Sequence, residues 1–478
     1  MDPIIIVLLG IGLVLFCIIA LRLNAVVALL FAAVVTSLLT AKEHIYNFAI
    51  NKGLSPEKAE ALASQALGER IAEAFGSTAG KISILIALGS IIGVALMRSG
   101  GAERIIRSLL NVVGKKNTSL AFLTGSFTLA IPVFFDTVFY LMIPLVKSLS
   151  IRNPRKYSLY LMVVIAGGVM AHSLVPPTPG PLFVAKEMGI DLGLMMVVGI
   201  IFGIITSFAG YLYALWANRH WDLPMRDTPD ISIEELKEIA DKKQEDLPSL
   251  WLSLLPIVLP ILLITGKSFL EMILDDKLDG LSAFQVQLVN ILNIVGDSNI
   301  ALFIAALIAM YLLWSRLKNV ELFNQQIQES LMSAGMIILI TCAGGAFGQM
   351  LQQTNIGMRI TDFTGNAQSA ILPLAFFLTA VIRTAQGSAT VAMVTTIGIV
   401  NGFGGENAYP FHPVYLAIVI GCGSKIFPWM NDSGFWIISK MSGMTNKESI
   451  QHFSYLLTVM GFAGLISVMI LSRLFPMI

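Results

Sequence analysis

Five ionisable side chains lie within long apolar stretches of this sequence: Asp136, His172, Arg383, Lys425 and Asp432. Each is close to a proline, glycine or serine that interrupts its stretch. A carboxylate at the centre of a bilayer costs on the order of 2.5–3.5 kcal/mol, so such residues usually mark ion or substrate pathways. The pattern therefore predicts a binding and proton-transfer site inside a membrane rather than a hydrolytic centre.

Each of these groups has a functional and a structural interpretation. Asp136 is the first choice for a proton-coupling residue or an acceptor for substrate hydroxyls; the alternative is a carboxylate that caps a helix. Arg383 either binds a substrate carboxylate through two hydrogen bonds or pairs with Asp136 or Asp432. His172 is a proton relay, since imidazole titrates near neutral pH, or a buried ring bonded to backbone. Asp432 is a second coupling candidate, or else pairs with Lys425.

Small polar residues surround these charges and are predicted to bind the substrate. Interrupted helices expose backbone N–H groups whose positive dipole ends suit an anion. Hydroxyl groups at such breaks either cap a helix or bind ligand. The predicted substrate-binding residues are Thr137, Ser173, Thr178, Arg383, Gln386, Gly387, Ser388, Ser424, Asn431 and Ser433. We predict no catalytic residue, no metal site and no cofactor.

The composition excludes most soluble functions. Of the 478 residues, 56% are hydrophobic and 13% are charged, whereas soluble domains carry roughly 25% charge. A net charge of +1 without a basic stripe argues against nucleic-acid binding. The three cysteines are too scattered for a zinc or redox site. Without a P-loop, HExxH or GxSxG motif, neither an ATPase nor an intramembrane enzyme is expected.

Apolar runs predict an all-α membrane protein, since a span needs about 20 apolar residues. Two further runs, 118–149 and 368–400, are broken at 131–137 and 383–388, which is typical of re-entrant hairpins. Two spans, 157–191 and 412–440, are broken at their polar segments. The ten predicted spans are 4–20, 25–40, 82–97, 157–191, 192–217, 250–265, 300–314, 330–350, 412–440 and 453–471.

The distribution of lysine and arginine predicts the orientation of these spans. With the N-terminus outside, 19 of the 31 basic residues fall in cytoplasmic segments, ten fall outside and two lie at membrane depth. This bias follows the positive-inside rule. Basic residues flank the hairpin 118–149, which should enter from the cytoplasm. The hairpin 368–400 has no nearby flanking cation and should enter from outside.

An internal repeat organises the chain. Segments 88–105 and 342–360 carry matching residues 255 positions apart, namely Gly89, Gly93, Ser99, Arg104 and Ile105 with Gly344, Gly348, Thr354, Arg359 and Ile360. Each set has five spans, and because five is an odd number the second set crosses the membrane in the opposite direction, as in secondary transporters. We therefore predict one inverted repeat over 1–217, a cytoplasmic linker over 218–249 and a second repeat over 250–478.

Four motifs resemble one known family. FFDTVFYLMIPL (134–145), HSLVPPTPGP (172–181), RTAQGSATVAM (383–393) and NDSGFW (431–436) are similar to the gluconate permease family, the gluconate:proton symporters of the ion transporter superfamily. The resemblance covers nearly the whole chain. It implies import of gluconate, glycerate or a related sugar acid with protons across the bacterial inner membrane. It also implies a homodimer with scaffold and transport domains that works by an elevator motion.

The sequence departs from this family at two positions. Gluconate-type members typically carry glutamate where Asp136 stands, and histidine where Thr178 stands. The shorter acid and the missing imidazole leave the identity of the acid open and the class of substrate unchanged. A sodium-coupled symporter, a cation/proton antiporter of the same fold and a passive channel are the alternatives. Our prediction is a proton symporter for a small hydroxylated monocarboxylate.

Overall fold

The structure is a computed structural model that describes residues 1–21, 23–113, 117–151, 153–226, 247–274, 283–355, 370–400, 410–430 and 432–477. These residues form helices joined by short connections, with no β-strand among them. The helices of the first half are α1 (Pro3–Ile19), α2 (Ala25–Leu39), α3 (Lys42–Asn51), α4 (Pro56–Ser64), α5 (Leu67–Arg98), α6 (Gly101–Val113), α7 (Thr118–Leu129), α8 (Phe135–Ile151), α9 (Tyr157–Leu174), α10 (Pro179–Glu187) and α11 (Leu192–His220).

Ten further helices follow in the rest of the described chain. They are α12 (Leu250–Leu274), α13 (Ala283–Val295), α14 (Ser298–Leu317), α15 (Val320–Gln352), α16 (Ile371–Gln386), α17 (Ala389–Val400), α18 (Val414–Gly423), α19 (Ser433–Ser442), α20 (Asn446–Ser449) and α21 (Tyr455–Leu474). Most of the predicted linker, 227–246, lies outside the described residues.

The prediction of an integral membrane protein is confirmed. Seven helical spans of the described residues are long and apolar enough to cross a membrane, and an eighth if α2 and α3, bent by 100°, form one span. Shorter apolar helices, among them α7, α8, α16, α17 and α18, accompany them. The total of ten spans stays a prediction.

The predicted breaks coincide with helix ends. α7 ends at Leu129 and α8 begins at Phe135, so Pro132 lies between the two helices of the first hairpin. α16 ends at Gln386 and is capped by Gly387, whose φ of +82° is a left-handed conformation that glycine adopts without strain. The break in the span 157–191 separates α9 from α10, and the break in the span 412–440 separates α18 from α19. Local sequence thus sets four interruptions that bring polar residues to one level of the bundle.

The long helices α5 and α15 pack along each other in the centre of the bundle. Ser90 Oγ in α5 donates to the carbonyl oxygen of Ser330 in α15 at 2.8 Å. Gly345 lies against Thr78, so tightly that a Cβ there would overlap the threonine side chain. The two helices therefore run antiparallel, because the residue numbers rise along one helix as they fall along the other.

Glycines let α15 approach the second hairpin more closely than α5 approaches the first. A Cβ on Gly348 would lie 2.7 Å from the Cα of Gly398 in α17, whereas a Cβ on Gly93 would lie 3.5 Å from the Cα of Val133. Backbone atoms cannot rotate away from an added methyl group, so the contact between Gly348 and Gly398 leaves no room for a side chain. The equivalent glycines of the two halves thus have different environments.

We expect Gly348→Ala to destabilise the protein by about 1–3 kcal/mol through overpacking. Gly93→Ala is the matched control; it should be neutral or stabilise by up to about 1 kcal/mol, since alanine favours helix. Thermal unfolding of both variants in detergent measures the difference. Equal melting temperatures for the two variants would show that α15 and α17 are not in this close contact.

Candidate functional site

A cavity of about 350 Å³ lies where the two hairpins and the two broken spans meet. All five ionisable side chains singled out in the sequence line it: Asp136, His172, Arg383, Lys425 and Asp432. Further lining residues come from the long helix α15 and from the segment around the start of α21. Residues more than 300 positions apart in the chain are thus brought to one site.

The hairpin ends contribute one carboxylate and one hydroxyl group. Asp136 lies in the first turn of α8, where a negative charge is favoured by the helix dipole. In the second hairpin, Ser388 precedes α17 and its Oγ accepts a hydrogen bond from the N–H of Val391 at 3.3 Å. That hydroxyl caps the helix and also lines the cavity. Both interpretations of Ser388 are therefore compatible with its position.

The first broken span places His172 on the cavity. The ring lies in the last turn of α9 and meets the ring of Phe134 edge-on at 5.9 Å between centroids. Its Nδ1 atom is buried and has no hydrogen-bond partner among the residues that the structure describes. The alternative of a histidine bonded through Nδ1 to backbone is therefore not seen.

Arg383 and Asp432 form a buried ion pair across the second hairpin and the second broken span. Their exposed fractions are 3% and 6%. Arg383 Nε also donates to the carbonyl oxygen of Ser424 at 2.9 Å, and Asp432 accepts the N–H of Phe435 at 3.3 Å as the cap of α19. The interpretation of Arg383 as a partner for Asp432 fits this geometry. The proposed pairing of Asp432 with Lys425 is wrong.

Lys425 is the second buried cation of the cavity, with 4% of the residue exposed. Within the described ranges its ammonium group makes no hydrogen bond or ion pair, and neither does the carboxylate of Asp136. The two charges nevertheless act on each other electrostatically. The site therefore contains one ion pair in direct contact, Arg383 with Asp432, and two opposite charges that do not touch, Lys425 and Asp136.

Such an arrangement can bind a small anion. Lys425 supplies a charge for a carboxylate, while Ser333, Ser388 and Thr390 place hydroxyl groups around the same space. The wall also includes the apolar side chain of Ile337. Hydrogen bonds to charged groups are strong where water is excluded, so few polar contacts suffice for specificity.

A family model described as GntP family permease matches residues 2–474. The chain belongs to the GntP permease family. The permease is 32% identical to an uncharacterized permease of Haemophilus influenzae, over 99% of this chain and 93% of that one. It is 30% identical to the gluconate permease of Bacillus subtilis, over 98% and 99% of the two chains.

Membership settles the general class and the location. The permease is a multi-pass protein of the bacterial inner membrane and a transporter rather than an enzyme. Its fold is similar to the crystal structure of the YdaH transporter of Alcanivorax borkumensis, with a TM-score of 0.53 at 11% identity. The likeness covers 85% of this chain and 88% of the other, and it concerns the fold alone.

The predicted binding residues divide into three groups. Arg383, Gly387 and Ser388 line the cavity. Thr178 and Ser424 instead donate within their own turns, each at 2.7 Å, to the carbonyl oxygens of Val175 and Gly421; with buried Ser173, they are not among the residues that line this cavity. Asn431 and the side chains of Thr137, Gln386 and Ser433 lie outside what the structure describes.

Sequence reasoning missed one whole wall of the cavity. Ser333 and Ile337 come from α15, Leu457 comes from the first turn of α21, and Phe453 lies just before that helix. Nothing distinguishes these residues from others in apolar helices. The polar residues of the segment 330–340 are its two serines, Ser330 and Ser333, and the sequence does not show which of them lines the cavity.

Proposed function

We propose that the permease imports a small hydroxylated monocarboxylate, of the gluconate, glycerate or related sugar-acid type, by proton symport. The observation that carries this proposal is the position of Lys425, buried on the cavity and without an ion-pair partner among the described residues. A buried charge is stable only when it is compensated, and a substrate carboxylate would supply the missing partner. The relatives named gluconate permease support the same substrate class.

The proposed substrate contacts come from opposite sides of the cavity. The carboxylate would meet Lys425, and its hydroxyl groups would meet Ser388 and Thr390 of the second hairpin. Ser333 and Ile337 of α15 would face the other side of the carbon chain. A ligand held between a hairpin and a long helix must lose one set of contacts when the two move apart.

We propose Asp136 as the proton carrier. It lines the cavity and, in the described part of the chain, its carboxylate is not engaged by a hydrogen bond. Asp432 is less suited, because it is paired with Arg383 and caps α19. His172 remains the second candidate, since its ring faces the same space.

Uptake of labelled gluconate and glycerate into proteoliposomes tests this function. For one proton per anion, a pH gradient of one unit should drive about tenfold accumulation by the wild type, because each decade is about 1.4 kcal/mol. Asp136→Asn, which keeps the shape and removes the titration, should bring the accumulation ratio to about one. Asp191→Asn at the exposed cap of α11 is the matched control.

Two results would contradict the proposal. Accumulation driven by a sodium gradient at constant pH would favour the sodium-coupled alternative. Equilibration of either acid without accumulation under any gradient would favour a passive channel. Full coupling in Asp136→Asn would leave symport intact and move the proton to His172 or Asp432.

We further propose two inverted repeats, 1–217 and 250–478, joined by the linker 218–249. The packing of α5 on α15 supports this division. Under the 255-residue register, Thr78 and Gly345 correspond to Ser333 and Ser90. Thr78 contacts Gly345, and Ser90 bonds to Ser330, three residues from Ser333. Two inverted repeats related by an axis in the membrane plane would produce such a pair of corresponding contacts.

The hairpins depart from this symmetry, which supports a sliding motion of elevator type. Gly348 faces Gly398, the tenth residue of α17, whereas Gly93 faces Val133, two residues before α8 begins. If the first hairpin lay on α5 as the second lies on α15, Gly93 would face the tenth residue of α8, which is Pro144. It faces Val133 instead, 11 positions earlier. At 1.5 Å per residue this is a displacement of about 16 Å.

In the predicted topology α5 runs from the outside to the cytoplasm and Gly93 is near its cytoplasmic end, so contact of the first hairpin with Gly93 corresponds to a cytoplasmic position. We propose that during transport the first hairpin takes the position along α5 that the second now has along α15, and the second hairpin takes the position of the first. This change would move the hairpins and broken spans outward along α5 and α15. We also propose a homodimer, the assembly that the superfamily resemblance implies; analytical ultracentrifugation in detergent tests it, and a monomer that transports would exclude it.

A further inference from the structure

The charges that line the cavity balance in pairs. Arg383 and Asp432 neutralise each other in direct contact. Lys425 and Asp136 carry opposite charges on the same cavity without touching. With His172 neutral, the lining described by the structure has no net charge.

A substrate carboxylate disturbs this balance. It brings one negative charge into a site where charge is costly unless it is paired. The charge of Arg383 is already compensated by Asp432, and its Nε donates to the carbonyl oxygen of Ser424, although its Nη1 has no hydrogen-bond partner among the described residues. Lys425 is the cation that can compensate the substrate carboxylate, but it then no longer compensates Asp136. One proton on Asp136 restores a net charge of zero.

We propose that Lys425 is an exchange cation, which compensates the carboxylate of Asp136 in the empty permease and the carboxylate of the substrate in the loaded permease. The inference rests on the proposed function, namely that the acid and a proton share this cavity. On loading, the substrate anion takes Lys425, and Asp136 binds one proton from solution. On release the anion leaves, Asp136 loses its proton, and Lys425 compensates Asp136 again.

The surroundings of Asp136 fit this exchange. The elements packed against the start of α8 face it with His172 from α9, Lys425 from the second break, and Asp432 with Gly434 from the start of α19. A Cβ on Gly434 would lie 3.8 Å from Asp136 Oδ1 and 3.1 Å from Asp432 Oδ1. Two carboxylates thus flank one glycine, and only Asp432 has a cation in contact. Protonation of Asp136 also removes the repulsion between the two.

The exchange predicts electroneutral transport, because the cavity has zero net charge both empty and loaded. In proteoliposomes, a potassium diffusion potential of either sign at equal pH should change the accumulation of gluconate or glycerate by less than twofold. A pH gradient of one unit without a potential should give about tenfold accumulation. Accumulation driven by an inside-negative potential alone would mean more than one proton per anion and would overturn the proposal.

Substitution of the lysine tests the residue itself. Lys425→Met should weaken binding of gluconate or glycerate at least 50-fold in nanodiscs, and Lys425→Arg should keep a saturable affinity. Lys440→Met, at an exposed lysine of α19, is the matched control and should bind as the wild type does. Lys425→Met leaves Asp136 without a cation and is therefore paired with the double variant Lys425→Met/Asp136→Asn, which keeps a neutral cavity and should fold without binding.

Calorimetry in buffers of different ionisation enthalpy counts the protons. The wild type should take up one proton per acid bound, and Asp136→Asn none, while still binding. If the wild type binds and accumulates neither acid, the proposed function fails. If the wild type binds with one proton and the folded double variant still binds within threefold of the wild type, the exchange by Lys425 is wrong and the proposed function stands.

Discussion

Arg383→Met should destabilise the permease by about 3–5 kcal/mol, because it leaves the carboxylate of Asp432 buried without its cation. Asp432 is 6% exposed, and Arg383 is its ion-pair partner in the described residues. The loss also removes the hydrogen bond from Arg383 Nε to Ser424, which ties the second hairpin to the second broken span. We expect low yields in detergent and a strongly reduced melting temperature.

Removal of both charges should be less damaging than removal of one. In Arg383→Met/Asp432→Asn, the asparagine can still accept the N–H of Phe435 and cap α19. We therefore expect the double variant to recover much of the lost stability. Arg316→Met, at an exposed arginine near the end of α14, controls for loss of a positive charge. Additive losses in the double variant would show that the two groups do not form a pair.

The fold was predictable where local sequence acts alone. Proline and glycine interrupt long apolar runs, so the helix ends at Leu129 and Gln386 follow from Pro132 and Gly387, which lie within a few positions. The same logic found Asp136, Arg383 and Asp432, because an ionisable residue in an apolar stretch needs a partner or a function. All three line one cavity.

Pairing between distant residues was not predictable in the same way. Lys425 is near Asp432 in sequence, yet Asp432 forms its ion pair with Arg383, which belongs to another element. The choice between two cations depends on the approach of the second hairpin to the second break, which is a tertiary property. The wall of Ser333 and Ile337 likewise depends on how far the hairpin lies along α15.

The repeat shows how identical residues acquire different roles. Gly93 and Gly348 match in sequence, but only Gly348 is in contact too close for a side chain. In the two proposed repeats these glycines are equivalent in sequence, whereas the position of the hairpins along α5 and α15 makes their contacts differ. In the proposed elevator motion, exchange of this difference between the two repeats would expose the site to the other side of the membrane.

Cross-linking should detect this exchange. In a background without Cys17, Cys342 and Cys422, the pair Gly93→Cys/Val133→Cys should form a disulfide readily. A Cβ on Gly93 would lie 3.5 Å from Val133 Cα and 3.6 Å from its Cγ1, which is within reach of a disulfide. If the proposed elevator motion is correct, the bond should abolish uptake and a reductant should restore it, because the cross-linked hairpin can no longer slide along α5.

The pair Ile82→Cys/Val133→Cys probes the exchanged position, because Ile82 lies 11 residues from Gly93 on nearly the same face of α5. We expect this pair to cross-link only slowly at rest and at least tenfold faster during transport. Ser90→Cys/Ser330→Cys joins α5 to α15 and should cross-link without loss of uptake, since both helices stay in place. If the Ile82 pair never reacts under turnover while the Gly93 pair reacts and inhibits, the hairpin does not slide along α5. The register difference between the halves would then be a fixed asymmetry of the fold, and transport would have to proceed by a smaller local opening around the cavity.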